Sequence, residues 1–128
     1  MILICNKEKY MNDAIFYLKT CDTCIRIMKI LNLPEYFLKI NIKENPITEN
    51  QLVELFSMSK SYEKLLNKRS RLFIEKKIKP VELKELEIKN LLLKHYTFLK
   101  RPIVIFNKTI YIGNSKNNIN KLIQDLNE

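Results

Sequence analysis

The sequence predicts an α/β domain in which a strand–helix–strand unit and a strand–strand–helix unit share one mixed central sheet, with a helical insertion between them. Three observations carry this prediction. The apolar run Ala14–Leu18 stops just before Cys21-Asp22-Thr23-Cys24, and the amphipathic stretch Ile25–Leu31 follows directly. A second pair of apolar runs, Ile103–Phe106 and Thr109–Ile112, is separated only by Asn107-Lys108 and preceded by Pro102. Between the two regions, leucines recur at helical spacings of three and four.

The elements follow in order. Ala14–Leu18 is a short buried strand, and Lys19-Thr20 turns the chain. A helix runs over Thr23–Leu31 and stops at Asn32-Leu33-Pro34, because proline cannot continue it. Tyr36–Asn41 is the next strand, and a crossover of this length suits a parallel pair. After the loop Lys43–Pro46, Thr48 and Gln51 form a capping-box pattern for a helix through about Met58, with Leu52, Leu55 and Phe56 on its apolar face. Ser61–Lys77 reads as one or two short helices with Leu65, Leu66, Leu72 and Phe73 inward. Past the break at Pro80, Val81–His95 reads as one long helix burying Leu83, Leu86, Leu91 and Leu92, with His95 at its C-terminal cap. Two strands around Asn107-Lys108 make a hairpin, Gly113-Asn114-Ser115 ends it, and Asn117–Leu126 is a closing amphipathic helix.

A βαβ unit with Cys-x-x-Cys at its first helix, a helical insertion, and a ββα unit are the parts of a thioredoxin-like fold. In that arrangement a cis proline faces the cysteine pair, and Pro102 is the residue placed to do so.

The cysteine pair carries the chemistry. Cys21 falls at a helix start, where unpaired N–H groups and the helix dipole favour a thiolate. Cys24 lies one turn on, within reach of a disulfide. Asp22 is expected to raise the neighbouring thiol's pKa, and the helix end and Arg101 to lower it. The bland alternatives are inert buried thiols or a zinc site. Zinc needs four ligands, and the only additional candidates are Cys5 and His95, neither suitably spaced.

Composition bounds the rest. The chain has 128 residues, enough for one domain with a core, and no apolar run long enough to span a bilayer. We divide it into a weakly ordered extension over 1–10 and a single domain over 11–128, Met11 being an alternative natural start. No secretory signal is recognisable, so the expected location is cytoplasmic, where a close cysteine pair stays reduced. Lys plus Arg is 23 against 14 for Asp plus Glu, a net charge of +9. The lysines are spread over every segment, which reads as a solvated surface rather than a nucleic-acid patch. With a single glycine, neither a Walker loop nor a dinucleotide fingerprint can form.

Cys21-x-x-Cys24, Leu65-Leu66-Asn67-Lys68-Arg69-Ser70 and Leu99-Lys100-Arg101-Pro102-Ile103, in that order, resemble the arsenate reductase family of the thioredoxin-like superfamily. That family includes glutaredoxin-linked arsenate reductases and the Spx group of redox-controlled transcription regulators. The resemblance spans roughly residues 14 to 126. It implies that Cys21 is the nucleophile and Arg101, before the proline, an anion-binding arginine. Arg69, Arg101 and Pro102 are the implied substrate-binding residues. Two further oxyanion arginines of the glutaredoxin-linked enzymes have no counterpart here: one position falls on Asn67, and Gly113–Lys116 contains none. Arg69 instead matches Spx-like members, as does the second cysteine.

The function expected from these readings is thiol–disulfide exchange. Cys21 attacks a disulfide or a small oxyanion such as arsenate, and Cys24 resolves the adduct. No bound cofactor is called for. Electrons come from an external thiol reductant, glutathione with glutaredoxin or thioredoxin. The alternative is an Spx-like regulator that binds RNA polymerase and uses the cysteine pair as a switch.

Overall fold

Strand β1 (Ala14–Tyr17) lies inside the sheet, and its first three residues are wholly buried. The computed structural model describes residues 12–128, so the reading of an extension over 1–10 lies outside the described residues. Helix α1 (Asp22–Leu31) follows and ends at Asn32, which takes the left-handed conformation. Strand β2 (Leu38–Asn41) then pairs parallel to β1 with Ala14 opposite Leu38. It starts two residues later than the periodicity suggests, because the Phe37 N–H donates to the Pro34 carbonyl in a turn.

The insertion begins with α2 (Glu49–Ser59). Its capping box is reciprocal: Gln51 N–H donates to Thr48 Oγ1 at 3.1 Å, and Thr48 N–H to Gln51 Oε1 at 3.0 Å. A 3₁₀ turn over Glu63–Leu65 and helix α3 (Arg71–Glu75) come next, burying Leu65, Leu66 and Phe73 and half-burying Leu72. The single long helix expected over Val81–His95 is two pieces: a 3₁₀ turn over Pro80–Glu82 and helix α4 (Glu85–Lys94). Pro80 favours a turn start, and the Lys84 N–H donates to the Glu87 carboxylate at 2.9 Å to begin a new helix. The break resets the helical phase. Ile88 and Leu92 therefore point inward, while Leu86 is 68% exposed and Val81 82% exposed, which corrects the expected burial of Leu86.

Strands β3 (Ile103–Phe106) and β4 (Thr109–Ile112) form the hairpin. Asn107 and Lys108 both have positive φ, 50° and 62°, as a two-residue type I′ turn requires. Helix α5 (Lys116–Leu126), capped by Ser115, closes the chain. The sheet order is β2-β1-β3-β4, with β1 and β3 antiparallel, so the sheet is mixed.

Side-chain alternation splits the core between the two faces. Ile15, Val104 and Tyr111 meet Ile27 of α1 and Leu122 of α5 on one face. Phe16, Ile103 and Ile105 meet Leu52, Leu55, Leu92 and Phe98 of the insertion on the other. The sheet thus carries the chain's two chemical segments, at the start of α1 and ahead of β3, to a common region. No described helix is long and apolar enough to cross a membrane.

Candidate functional site

Cys21 is the N-cap of α1, in extended backbone. The Cys21 N–H donates to the Leu18 carbonyl at 3.0 Å, and the Cys21 carbonyl accepts from Ile25 at 3.1 Å. The turn after β1 is therefore rigid, and the half-buried sulfur is held at the positive end of the helix. Cys24 faces the core and is fully buried. Both thiols are free.

The two sulfurs have been driven apart in acidity. Burial works against ionising Cys21, but it is outweighed. The Cys24 backbone N–H, the Cys24 thiol and the Arg101 guanidinium all favour the thiolate and hold its pKa below the ordinary value. For Cys24, burial comes first, with the charge and hydrogen bond of Cys21 behind it. They push it up to about 11, against partial relief from a backbone hydrogen bond at Leu18 and from Arg101. Cys24 is thus the harder of the two thiols to ionise. Asp22 sits exposed in the first helical turn and is not among the groups acting on Cys21.

This acidity has a measurable consequence. Alkylation of Cys21 by iodoacetamide is expected to rise with pH and reach half its plateau at a lower pH than for a free cysteine, since only the thiolate reacts. Arg101→Gln moves that midpoint upward. A wild-type midpoint above the free-thiol value would contradict the geometry.

Cys21 opens into a pocket of about 690 Å³ whose wall also includes Asn67, Arg69, Arg101 and the loop Gly113–Ser115. Lys64, Lys68 and Lys100 add to the positive wall, against a single carboxylate, Glu63, which is paired with Lys68 at 3.0 Å. The fold thus brings Cys21, Arg69 and Arg101 together. Arg101 is half-buried, and its guanidinium donates to the Leu99 carbonyl at 3.4 Å. Arg69 is exposed at the rim. The Arg101–Pro102 peptide bond is cis. Pro102 is buried and does not form the pocket wall; its carbonyl accepts the Gly113 N–H at 2.8 Å, which anchors the loop opposite Arg101. Lys116 begins α5 and does not line the pocket.

Two features escaped the sequence reading. One is the cationic contribution of Lys64 and Lys100, which no local pattern distinguishes from other surface lysines. The other is Asn67, whose carboxamide is bonded into the fold. Its Oδ1 accepts the Arg69 N–H at 3.2 Å, a local turn that Asn-x-Arg makes legible in hindsight. His95 does sit at the end of α4, and its Nδ1 also accepts the Thr97 N–H at 3.1 Å, starting the next 3₁₀ turn.

Comparison with known proteins places this geometry. A model of the ArsC family matches residues 16–122. The global transcriptional regulator Spx of Streptococcus mutans is 29% identical over 108 residues, covering 83% of this chain and 79% of its own. Among solved structures, an ArsC family related protein from Bacteroides fragilis superposes with a TM-score of 0.70 at 23% identity, over 88% of this chain and 99% of that one. An arsenate reductase (ArsC) related protein from Brucella melitensis gives a TM-score of 0.66 at 17% identity, over 87% and 93% of the two chains.

Proposed function

Since the chain belongs to the ArsC family, we propose that it is a thiol–disulfide oxidoreductase in which Cys21 is the nucleophile and Cys24 the resolving thiol. The observation that carries the reading is the pair of divergent thiols at one helix end: one made more acidic beside Arg101 in a cationic pocket, the other buried with its pKa pushed up.

The Cys21 thiolate attacks one sulfur of a substrate disulfide. The Cys21–substrate bond forms as the substrate S–S bond breaks, and the departing thiolate takes up a proton from water. Cys24 then loses its proton and attacks the Cys21 sulfur. The second substrate thiol leaves and a Cys21–Cys24 disulfide remains. An external dithiol, thioredoxin or glutaredoxin with glutathione, returns the two electrons. The cationic wall favours substrates bearing carboxylates or other anionic groups. Arsenate fits less well than a disulfide, because Asn67 and the Gly113–Lys116 loop stand where the glutaredoxin-linked reductases carry arginines.

The second reading is a redox-responsive regulator that binds RNA polymerase, favoured by the likeness to Spx and by the second cysteine, which the family resemblance associates with Spx-like members. One assay separates the two. Purified protein is supplied with a thioredoxin or a glutathione–glutaredoxin system, and NADPH use is followed with a model disulfide and with arsenate. Turnover that requires Cys21 supports the enzyme. Absence of turnover, together with capture of RNA polymerase only when the pair is oxidised, supports the regulator.

A further inference from the structure

We infer that Asn67 is a positioning residue that holds the cationic wall of the pocket in place against Cys21. The inference rests on the thiol reading in locating the pocket, but it concerns the field in the pocket in front of Cys21, not turnover.

The insertion and the segment ahead of β3 are strapped together beside the pocket. Leu66 and Leu99 form an isolated antiparallel bridge. The Lys100 N–H donates to the Leu65 carbonyl at 2.8 Å, and the Asn67 N–H to the Phe98 carbonyl at 2.7 Å. Arg69 lies just past one end of this strap and Arg101 just past the other. The Asn67 carboxamide works on both segments at once. Its Nδ2 donates to the Thr97 carbonyl at 3.2 Å, and its Oδ1 accepts the Arg69 N–H at 3.2 Å. Ser70 Oγ donates to Thr97 Oγ1 at 3.3 Å, which closes the same turn.

Asparagine suits the position for two reasons. It carries an amide nitrogen that donates and an oxygen that accepts in one fixed plane, matching one carbonyl and one N–H. Its short side chain also makes the two-residue turn that sets the direction of Arg69. Alanine keeps the backbone strap and frees Arg69 from this turn. Serine keeps an acceptor for the Arg69 N–H but does not reach Thr97.

The test compares alkylation of Cys21 by iodoacetate, an anion, with alkylation by neutral iodoacetamide, in a Cys5→Ser background. The ratio of the two rates cancels the thiolate fraction and reads the positive field of the pocket through which the reagent approaches Cys21. Asn67→Ala is expected to lower the ratio about threefold, the size of one displaced, partly solvated cation. Arg69→Gln lowers it similarly. The double variant falls no further than Arg69→Gln alone, because the two act through one group. Asn67→Ser lies between wild type and alanine. An unchanged ratio in folded Asn67→Ala, or losses that multiply in the double variant, overturns the inference. Loss of a cooperative melt in both the alanine and serine variants also overturns it, by making Asn67 a residue of stability alone. A wild type that alkylates as expected but turns over no disulfide leaves this inference standing while removing the enzymatic one.

Discussion

Cys21→Ser is expected to remove thiol-dependent turnover, a loss on the order of a thousandfold or more, while Cys24→Ser carries out the first step and stalls. A serine hydroxyl at a helix start does not ionise near neutrality, and the pocket wall holds no histidine to activate it among the described residues. The position of Cys24 explains the order of events. Its pKa of about 11 reflects burial first, then the charge and hydrogen bond of the neighbouring thiolate. Once Cys21 is tied up in an adduct, those two contributions from the thiolate vanish and Cys24 ionises more readily. In the proposed mechanism the resolving thiol is thereby held back until there is something to resolve. Intact mass spectrometry after mixing with a model disulfide should show a persistent adduct on Cys24→Ser and none on wild type. Turnover by Cys21→Ser at the wild-type rate would sink the mechanism, and rapid clearance of the Cys24→Ser adduct would reassign the resolving role.

Phe98→Ala is expected to cost about 3–5 kcal/mol of stability, a large share of the roughly 5–15 kcal/mol that holds a domain together. Phe98 is 1% exposed and packs at 5.0 Å against the ring of Phe73, itself buried. Few atoms are free to collapse into the space left, so both the transfer and the cavity contributions apply. The same residue's carbonyl accepts the Asn67 N–H, so the core beneath the site and the strap beside it are one structure. Urea unfolding should therefore show a lower midpoint with an unchanged slope, and in the folded fraction the alkylation ratio at Cys21 should fall as well. A stability change below about 1 kcal/mol would mean that Phe98 is not the packing centre its burial indicates.

Most of the framework is legible from residue order because its signals are local. Apolar runs of strand length at Ala14 and Ile103, the capping box at Thr48, and the two-residue turn at Asn107-Lys108 each specify an element within a few residues. The misreading at Val81–His95 has the same origin. Leu83, Leu86, Leu91 and Leu92 fit one helical period on paper, yet Pro80 and the Lys84–Glu87 start shift the phase, and Leu86 turns to solvent.

Part of the acidity of Cys21 is legible from consecutive residues, since a strand end, a tight turn and a helix start set its sulfur near the Cys24 N–H, and Arg101 adds the rest from far along the chain. Where the positive charge stands relative to that sulfur required the folded chain. Arg69, Arg101 and Lys64 are far from Cys21 in sequence, and their convergence on one pocket depends on the Leu66–Leu99 bridge and the Asn67 carboxamide. Local propensity acts over a few residues, whereas an electrostatic field sums over every charge that packing brings near, so only the tertiary arrangement selects which of the many cations count.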